Sequence, residues 1–442
     1  MTDMIITLDT EDYVNPKGAD GILRASKIIR EAGFTPCHNV VAWLAEALVK
    51  WGRDDVIDEL KKCEITTHSL KHSYHPTINE YTDIENFDEA MTLFRKEEDE
   101  AVRILQSILG NDKFTAACPP GNSDSYVARY GYYDMGIDVY NDTRVFDDKN
   151  GRPLWFCNAL NLKYDYYFDG FKFETKEKIL EEIDKLADKD SCIVAHHPQM
   201  NTVTTFCDLQ NFFRGNIEGE WLLSDLVPEN EVKCFEENLK FFVDTIKNDK
   251  RFNVTTYSEM SQKYNKYRVI KPDYIKDIKS QIDEELFPVT TPDSYCLSDI
   301  ILACRDFLLG KKEHVCGKVY GFLYAPYTIN QPVKVTAEEM RASAVQISDN
   351  TFLPTEVIVG DKKLGTADWL RAALTILSGK DKVVVVPDKW QIDLNQFPGL
   401  RDMNYVMTWV HSEDFKDDYI SDRARLQSWT IRLPKLTNRK IF

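Results

Sequence analysis

An α/β fold built on parallel strands is predicted for about the first 265 residues, and three observations predict it. Short apolar runs alternate with amphipathic helices more than five times in that stretch. Repeated strand–helix units demand parallel strands joined by helical crossovers, as in a barrel or a doubly wound sheet. Clusters of acids and histidines fall just after the strands, where both architectures carry their chemistry.

The elements follow in order. Met4 to Leu8 reads as a strand. Ala19 to Ala32 reads as a helix, with Ile22, Ile28 and Ile29 on its apolar side and Gly33 at its end. Phe34 to Val41 is a second strand, followed by a helix through Trp43, Leu44 and Leu48. Cys63 to Thr67 is a strand, Phe87 to Leu109 a long helix stopped by Gly110, and Phe114 to Cys118 and Ile137 to Tyr140 are further strands. Ile179 to Leu186 is helical and Cys192 to Ala195 is a buried strand. Phe235, Leu239, Phe242, Val243 and Ile246 mark one face of a helix, and Phe252 to Thr256 closes the series.

The organisation expected is a catalytic barrel over 1–268, a charged, Pro-containing connector over 269–292, and a mainly helical domain over 293–442. In the last, Ser298 to Leu308 and Thr366 to Leu377 are helical and hint at a degenerate repeat. Thr336 to Asp349 reads as a helix opened by a capping box of Thr336 and Glu339. The aromatic end, through Trp409, Phe415, Trp429 and Ile431, is expected to pack on this second region.

Composition narrows the function. The chain has 442 residues, 43% of them hydrophobic, enough to bury a core. Lys plus Arg number 55 against 72 Asp plus Glu, a net charge of −17. That balance argues against nucleic acid or an anionic membrane as partner, because both need a basic footprint. It suits a neutral or cationic small molecule or a glycan. No apolar run approaches the ~18 residues of a membrane span. Met1-Thr2-Asp3-Met4 does not open a secretory signal, so the expected location is cytoplasmic. Ten cysteines without a C-x-x-C pair read as reduced thiols. A homo-oligomer is left open.

Four clusters carry chemistry. Asp9, Glu11 and Asp12 crowd one strand end, where their repulsion calls for a cation or proton; Asp9 and Glu11 share one side of an extended backbone. His68 and His72 have the i, i+4 spacing that puts two imidazoles on one ion from a helical turn. Cys118-Pro119-Pro120-Gly121 is a stiffened loop whose glycine admits close backbone approach and a free N–H for an oxyanion. His196 and His197 end a buried strand, and either suits a general acid.

In order and spacing these clusters resemble the polysaccharide deacetylases of the NodB-homology class, carbohydrate esterase family 4, over about the first 265 residues. The His68-Ser69-Leu70-Lys71-His72 element is the most specific part. The resemblance implies a distorted (β/α) barrel with fewer than eight strands, one divalent metal, usually zinc, and hydrolysis of N-acetyl groups from amino sugars. It implies Asp9 as base, His68 and His72 as metal ligands, Glu11 or its competitor Asp12 as third ligand, and His197 or His196 as acid. Pro120 and Gly121 would form the oxyanion loop, and Trp155 would wall the acetyl group. The family's Arg before the prolines and Tyr after them are replaced by Ala117-Cys118 and Gly121. An acetylated carbohydrate is therefore the expected partner. O-acetyl esters, cyclic amides and a non-catalytic glycan-binding role are the rival expectations. The second region resembles pseudomurein-binding-type repeats through Ala344 to Asn350, Leu353-Pro354, Val357 to Val359 and Ala367-Asp368-Trp369-Leu370.

Overall fold

The structure, a computed structural model, describes residues 1–141, 152–407 and 409–434. Its contacts divide the chain into two compact units: Met1–Arg152, Ala159–Tyr264 and Met403–Ser421 form the first, and Pro153–Asn158, Asn265–Asp402 and Asp422–Phe442 the second.

The strands of the first unit are β1 (Thr2–Thr10), β2 (Cys37–Val40), β3 (Glu64–Thr67), β4 (Ala116–Ala117), β5 (Val139–Asn141), β7 (Ala159–Leu162), β8 (Tyr164–Tyr167), β9 (Ser191–His196) and β10 (Phe252–Thr255); β6 (Leu154–Phe156) belongs to the second. They are parallel neighbours in the order β7, β5, β4, β3, β2, β1, β9, β8, with β10 beside the first half of β1. The two ends of this order, β7 and β8, are separated in the chain by Lys163 alone. One kinked strand thus changes partner and closes the sheet. Counted that way, the staves are β1 to β5, β7 with β8, and β9, a distorted barrel of seven.

Alternation sorts every stave into two faces. Outward from β1 and β9 point Met4, Ile6, Leu8, Cys192 and Val194, which pack on Ala25 and Ile29 of α1 (Gly18–Glu31) and on Phe235, Leu239, Phe242 and Val243 of α9 (Glu229–Asn248). Each such side chain, fully buried, contributes roughly 1.5–3 kcal/mol. The long helix α5 (Phe87–Leu109) starts where the Asn86 side chain accepts from the N–H groups of Asp88 and Glu89, and ends at left-handed Gly110.

The second unit is mainly helical, with α11 (Ile275–Glu284), α12 (Leu297–Leu308), α13 (Ala337–Ser343) and α14 (Thr366–Leu377), and carries small antiparallel ribbons. Every residue of α12 is buried. The Thr336–Glu339 capping box forms, but α13 stops at Ser343 and passes into a single 3₁₀ turn, short of the expected Asp349. A second expectation also needs correction. Trp409 and Phe415 belong to the first unit, because Met403–Ser421 is tied there by its own N–H groups. Tyr419 and Ile420 donate to Asp83 at 2.8 and 3.0 Å, and Ser412 donates to Glu80. No described helix is long and apolar enough to cross a membrane.

Candidate active site

The inward faces of the same staves are polar. Asp9 lies on β1 opposite Asn39 of β2, which lies opposite Thr66 of β3. Asn39 Nδ2 donates to Asp9 Oδ1 at 2.6 Å, the Tyr164 hydroxyl donates to the same oxygen at 3.1 Å, and Thr66 donates to Asn39 Oδ1. Neutral donors therefore fix the Asp9 carboxylate. A bulge at Asp165 shifts the β8 register, so Tyr164 and Tyr167, three apart, both turn inward beside Ile193 and Ala195.

Beyond the last rung of β1 the chain continues to Glu11. Its Oε2 lies 2.9 Å from His72 Nε2 and 3.3 Å from His68 Nε2. Gln199 Nε2 holds its other oxygen at 2.8 Å. The far nitrogens are held too: His68 Nδ1 meets the Cys118 carbonyl at 2.9 Å, and His72 Nδ1 lies 3.0 Å from Asp208 Oδ2. The histidines reach this arrangement without the helical turn expected of them. Ser69 (φ 69°) and His72 (φ 53°) are left-handed, and the loop is fastened by Ala42 and Trp43 N–H groups donating to Ser69 and Leu70 carbonyls.

Glu11, His68 and His72 offer one carboxylate oxygen and two imidazole nitrogens within 4.8 Å of one another, all buried. Tetrahedral bonds of about 2.0–2.2 Å place ligand atoms roughly 3.4 Å apart. This O,N,N set with its hydrogen-bonded outer partners fits a divalent ion that keeps one position open. The electrostatics agree. Burial opposes charge on each group, yet the Asp208 and Glu11 carboxylates push His72 up to about 10, contacts with Cys118 and Glu11 push His68 up to about 10, and the imidazolium neighbours hold Glu11 well below the usual carboxylate range. The pocket is built for positive charge.

Asp12 is not part of that set. Its Oδ1 accepts from the Val14 and Asn15 N–H groups at 3.0 and 2.9 Å, and burial, with Asp208 and Glu11 nearby, raises its carboxyl to about 6. His196 and His197 also part. His196 continues the outward row of Cys192 and Val194, fully buried, stacked on Phe235 and Phe168 at 4.5 and 4.9 Å. His197 turns inward, with Nε2 3.6 Å from Asp9 Oδ2. One carboxylate serves both: Asp169 Oδ1 is 2.6 Å from His196 Nδ1 and its Oδ2 is 2.7 Å from His197 Nδ1. Burial opposes charge on His197, but Asp169, Glu11 and Asp9 push it up to about 10.

A cavity of about 330 Å³ gathers Asp9, Glu11, His68, His72, His197 and Gly121. Gly121 (φ 50°) is required twice over, for its left-handed backbone and because a Cβ there would come 2.4 Å from Val410 and 3.1 Å from Trp409. Pro120 opens its 3₁₀ turn but is not in the lining. The tryptophan of this cavity is Trp409. Trp155 instead lies in the second unit, bridged to Arg432 and donating from Nε1 to Asn265 at 2.5 Å. Asn39, Tyr164, Asp169, Gln199, Asp208 and Trp409 were not legible as site residues. Of these only Asp169, an acid two residues past the end of β8, carries a strand-end signal like that of Asp9.

No protein-family model matches the chain, and no curated protein matches it. Among solved structures the chain is similar to a 4-α-glucanotransferase from Thermococcus litoralis (11% identity, 60% of this chain and 40% of that one, TM-score 0.40). It is also similar to a mutant of a peptidoglycan deacetylase from Bacillus subtilis (14%, 63% and 96%, 0.33) and to a family 4 carbohydrate esterase from Streptomyces lividans in complex with acetate (8%, 58% and 92%, 0.31). The chain spans 40% of the length of the glucanotransferase. These likenesses concern the fold and assign no residue. The resemblance of the second region to pseudomurein-binding-type repeats gains no support, since no family model matches.

Proposed function

We propose that this protein is a metal-dependent hydrolase that removes N-acetyl groups from an amino sugar or glycan. The observation that carries the reading is one cavity in which a fixed carboxylate, an O,N,N donor set and a carboxylate-held imidazole converge. Glu11, His68 and His72 would hold a divalent ion, zinc by the resemblance, and that ion would supply Lewis acidity.

The chain's own residues do the rest. Asp9, with Oδ1 held by Asn39 and Tyr164, presents Oδ2 to take the proton of the attacking water. The Gly121 N–H faces the acyl oxygen where negative charge develops. Asp169, bonded to Nδ1 at 2.7 Å, favours the His197 cation, and His197 gives its proton to the leaving amine. Trp409 and Tyr167 enclose the acyl group, and Tyr167 lies parallel to the His197 ring at 5.5 Å. Asn39 and Tyr164 take the holding role that the missing Arg would have in the resembled family, which supports a working site over a decayed one.

The test is acetate release from an N-acetylglucosamine oligomer by zinc-loaded protein. Turnover by wild type and a fall of about 10²–10⁴ in Asp9→Asn are expected. A folded, zinc-loaded wild type that releases no acetate overturns the reading, and turnover confined to O-acetyl sugars or cyclic amides replaces the substrate.

A further inference from the structure

Asn141 ends β5 and lines the cavity. Its register places it. Thr67, Ala117 and Tyr140 pair across β3, β4 and β5, so the next residue of each strand, His68, Cys118 and Asn141, stands on one rung. Asn141 is two strands, roughly 10 Å of backbone, from His68. It is 1% exposed, and its Oδ1 has no hydrogen-bond partner among the described residues. An unmatched buried carbonyl costs about 1–3 kcal/mol, so one in the wall of a cavity asks for a donor.

Asn141 Nδ2 donates to the Tyr257 hydroxyl at 2.6 Å. With the amino group engaged by Tyr257, Oδ1 is the amide atom left without a partner at the cavity wall.

We infer that Asn141 is a specificity-determining residue whose Oδ1 accepts the N–H of the substrate's acetamido group, selecting amides over esters. The inference rests on the proposed deacetylase reading. An N-acetyl substrate brings the missing donor, whereas an O-acetyl ester has an oxygen there and leaves Asn141 unmatched. Sites that hydrogen-bond a substrate group reject analogues lacking it far more strongly than apolar pockets do.

The experiment compares kcat/KM of zinc-loaded wild type, Asn141→Ala and Asn141→Asp on an N-acetylglucosamine trisaccharide and on glucose acetylated at the C2 oxygen. In Asn141→Ala the N-acetyl value is expected to fall about 10–100-fold with the O-acetyl value unchanged or raised. Asn141→Asp, which keeps an acceptor, is expected to retain most of the preference. Equal losses on both substrates, or no loss in Asn141→Ala, overturn the inference. If wild type turns over neither sugar, the hydrolase reading has failed, and calorimetric Kd values for the two sugars decide on Asn141. Weakening of the N-acetyl ligand alone in Asn141→Ala supports it, and unchanged or equally weakened binding overturns it.

Discussion

The two faces of the same strands divide the labour of this barrel. Along β1, Met4, Ile6 and Leu8 face the helices, while Thr7 and Asp9 face the interior network. At the end of β9 the division passes between neighbours: His196 joins the phenylalanines outside and His197 meets Asp9 inside. A one-residue step changes a side chain's duty from packing to chemistry. Stability and activity should therefore respond to different residues of one strand.

The largest separation is expected at Asp9 and Leu8. Asp9→Asn should cut kcat by about 10²–10⁴ with little movement of the thermal midpoint, read by acetate assay and calorimetry. Leu8→Ala should do the reverse, costing about 2–5 kcal/mol in denaturant unfolding while the folded fraction keeps its kcat/KM. Equal stability losses in the two variants would break the comparison.

Asp169 sharpens it, because its two oxygens serve one histidine on each face. Asp169→Asn should lower stability by about 1–3 kcal/mol and also reduce kcat, a double effect that neither Asp9→Asn nor Leu8→Ala shows. A change in only one of the two readouts would mean that the shared carboxylate does not couple the faces.

A smaller effect belongs to Glu98 on α5, buried outside the site, where Tyr132 donates to it at 2.8 Å. Burial raises its carboxyl to about 7 from 4.5. The folded state keeps this proton where the unfolded chain loses it. The contribution is thus fully present below pH 4.5 and is lost as pH rises through about 7, by on the order of 3 kcal/mol. Glu98→Gln should remove that decline, measured by urea unfolding at pH 5 and pH 8. An identical decline in the variant would assign it to other groups.

The outward face was the legible one. Met4, Ile6 and Leu8 alternate, and Phe235, Leu239, Phe242 and Ile246 recur at helical spacing, so strands and helices could be placed from local pattern. Acids and histidines at strand ends pointed to Asp9, Glu11, His68 and His72, which line one cavity. Their partners were hidden because they come from pairing between distant strands: Asn39 is known only through its register with Asp9, and Tyr164 only through the bulge that turns it inward. The His68–His72 spacing suggested a helical turn, but two left-handed residues reach the same convergence in a loop, which no periodicity encodes. The place of Trp409 is not legible in the sequence because backbone N–H groups, not side-chain pattern, tie its segment to Glu80 and Asp83.

Metal content most directly tests whether the N-terminal acids and the two loop histidines share one ion. After zinc loading and dialysis, wild type should hold about one divalent ion per chain by elemental analysis, and His72→Ala should lose most of it with its circular dichroism unchanged. A well-folded wild type that retains no metal, or equal retention by the two proteins, would contradict the shared site.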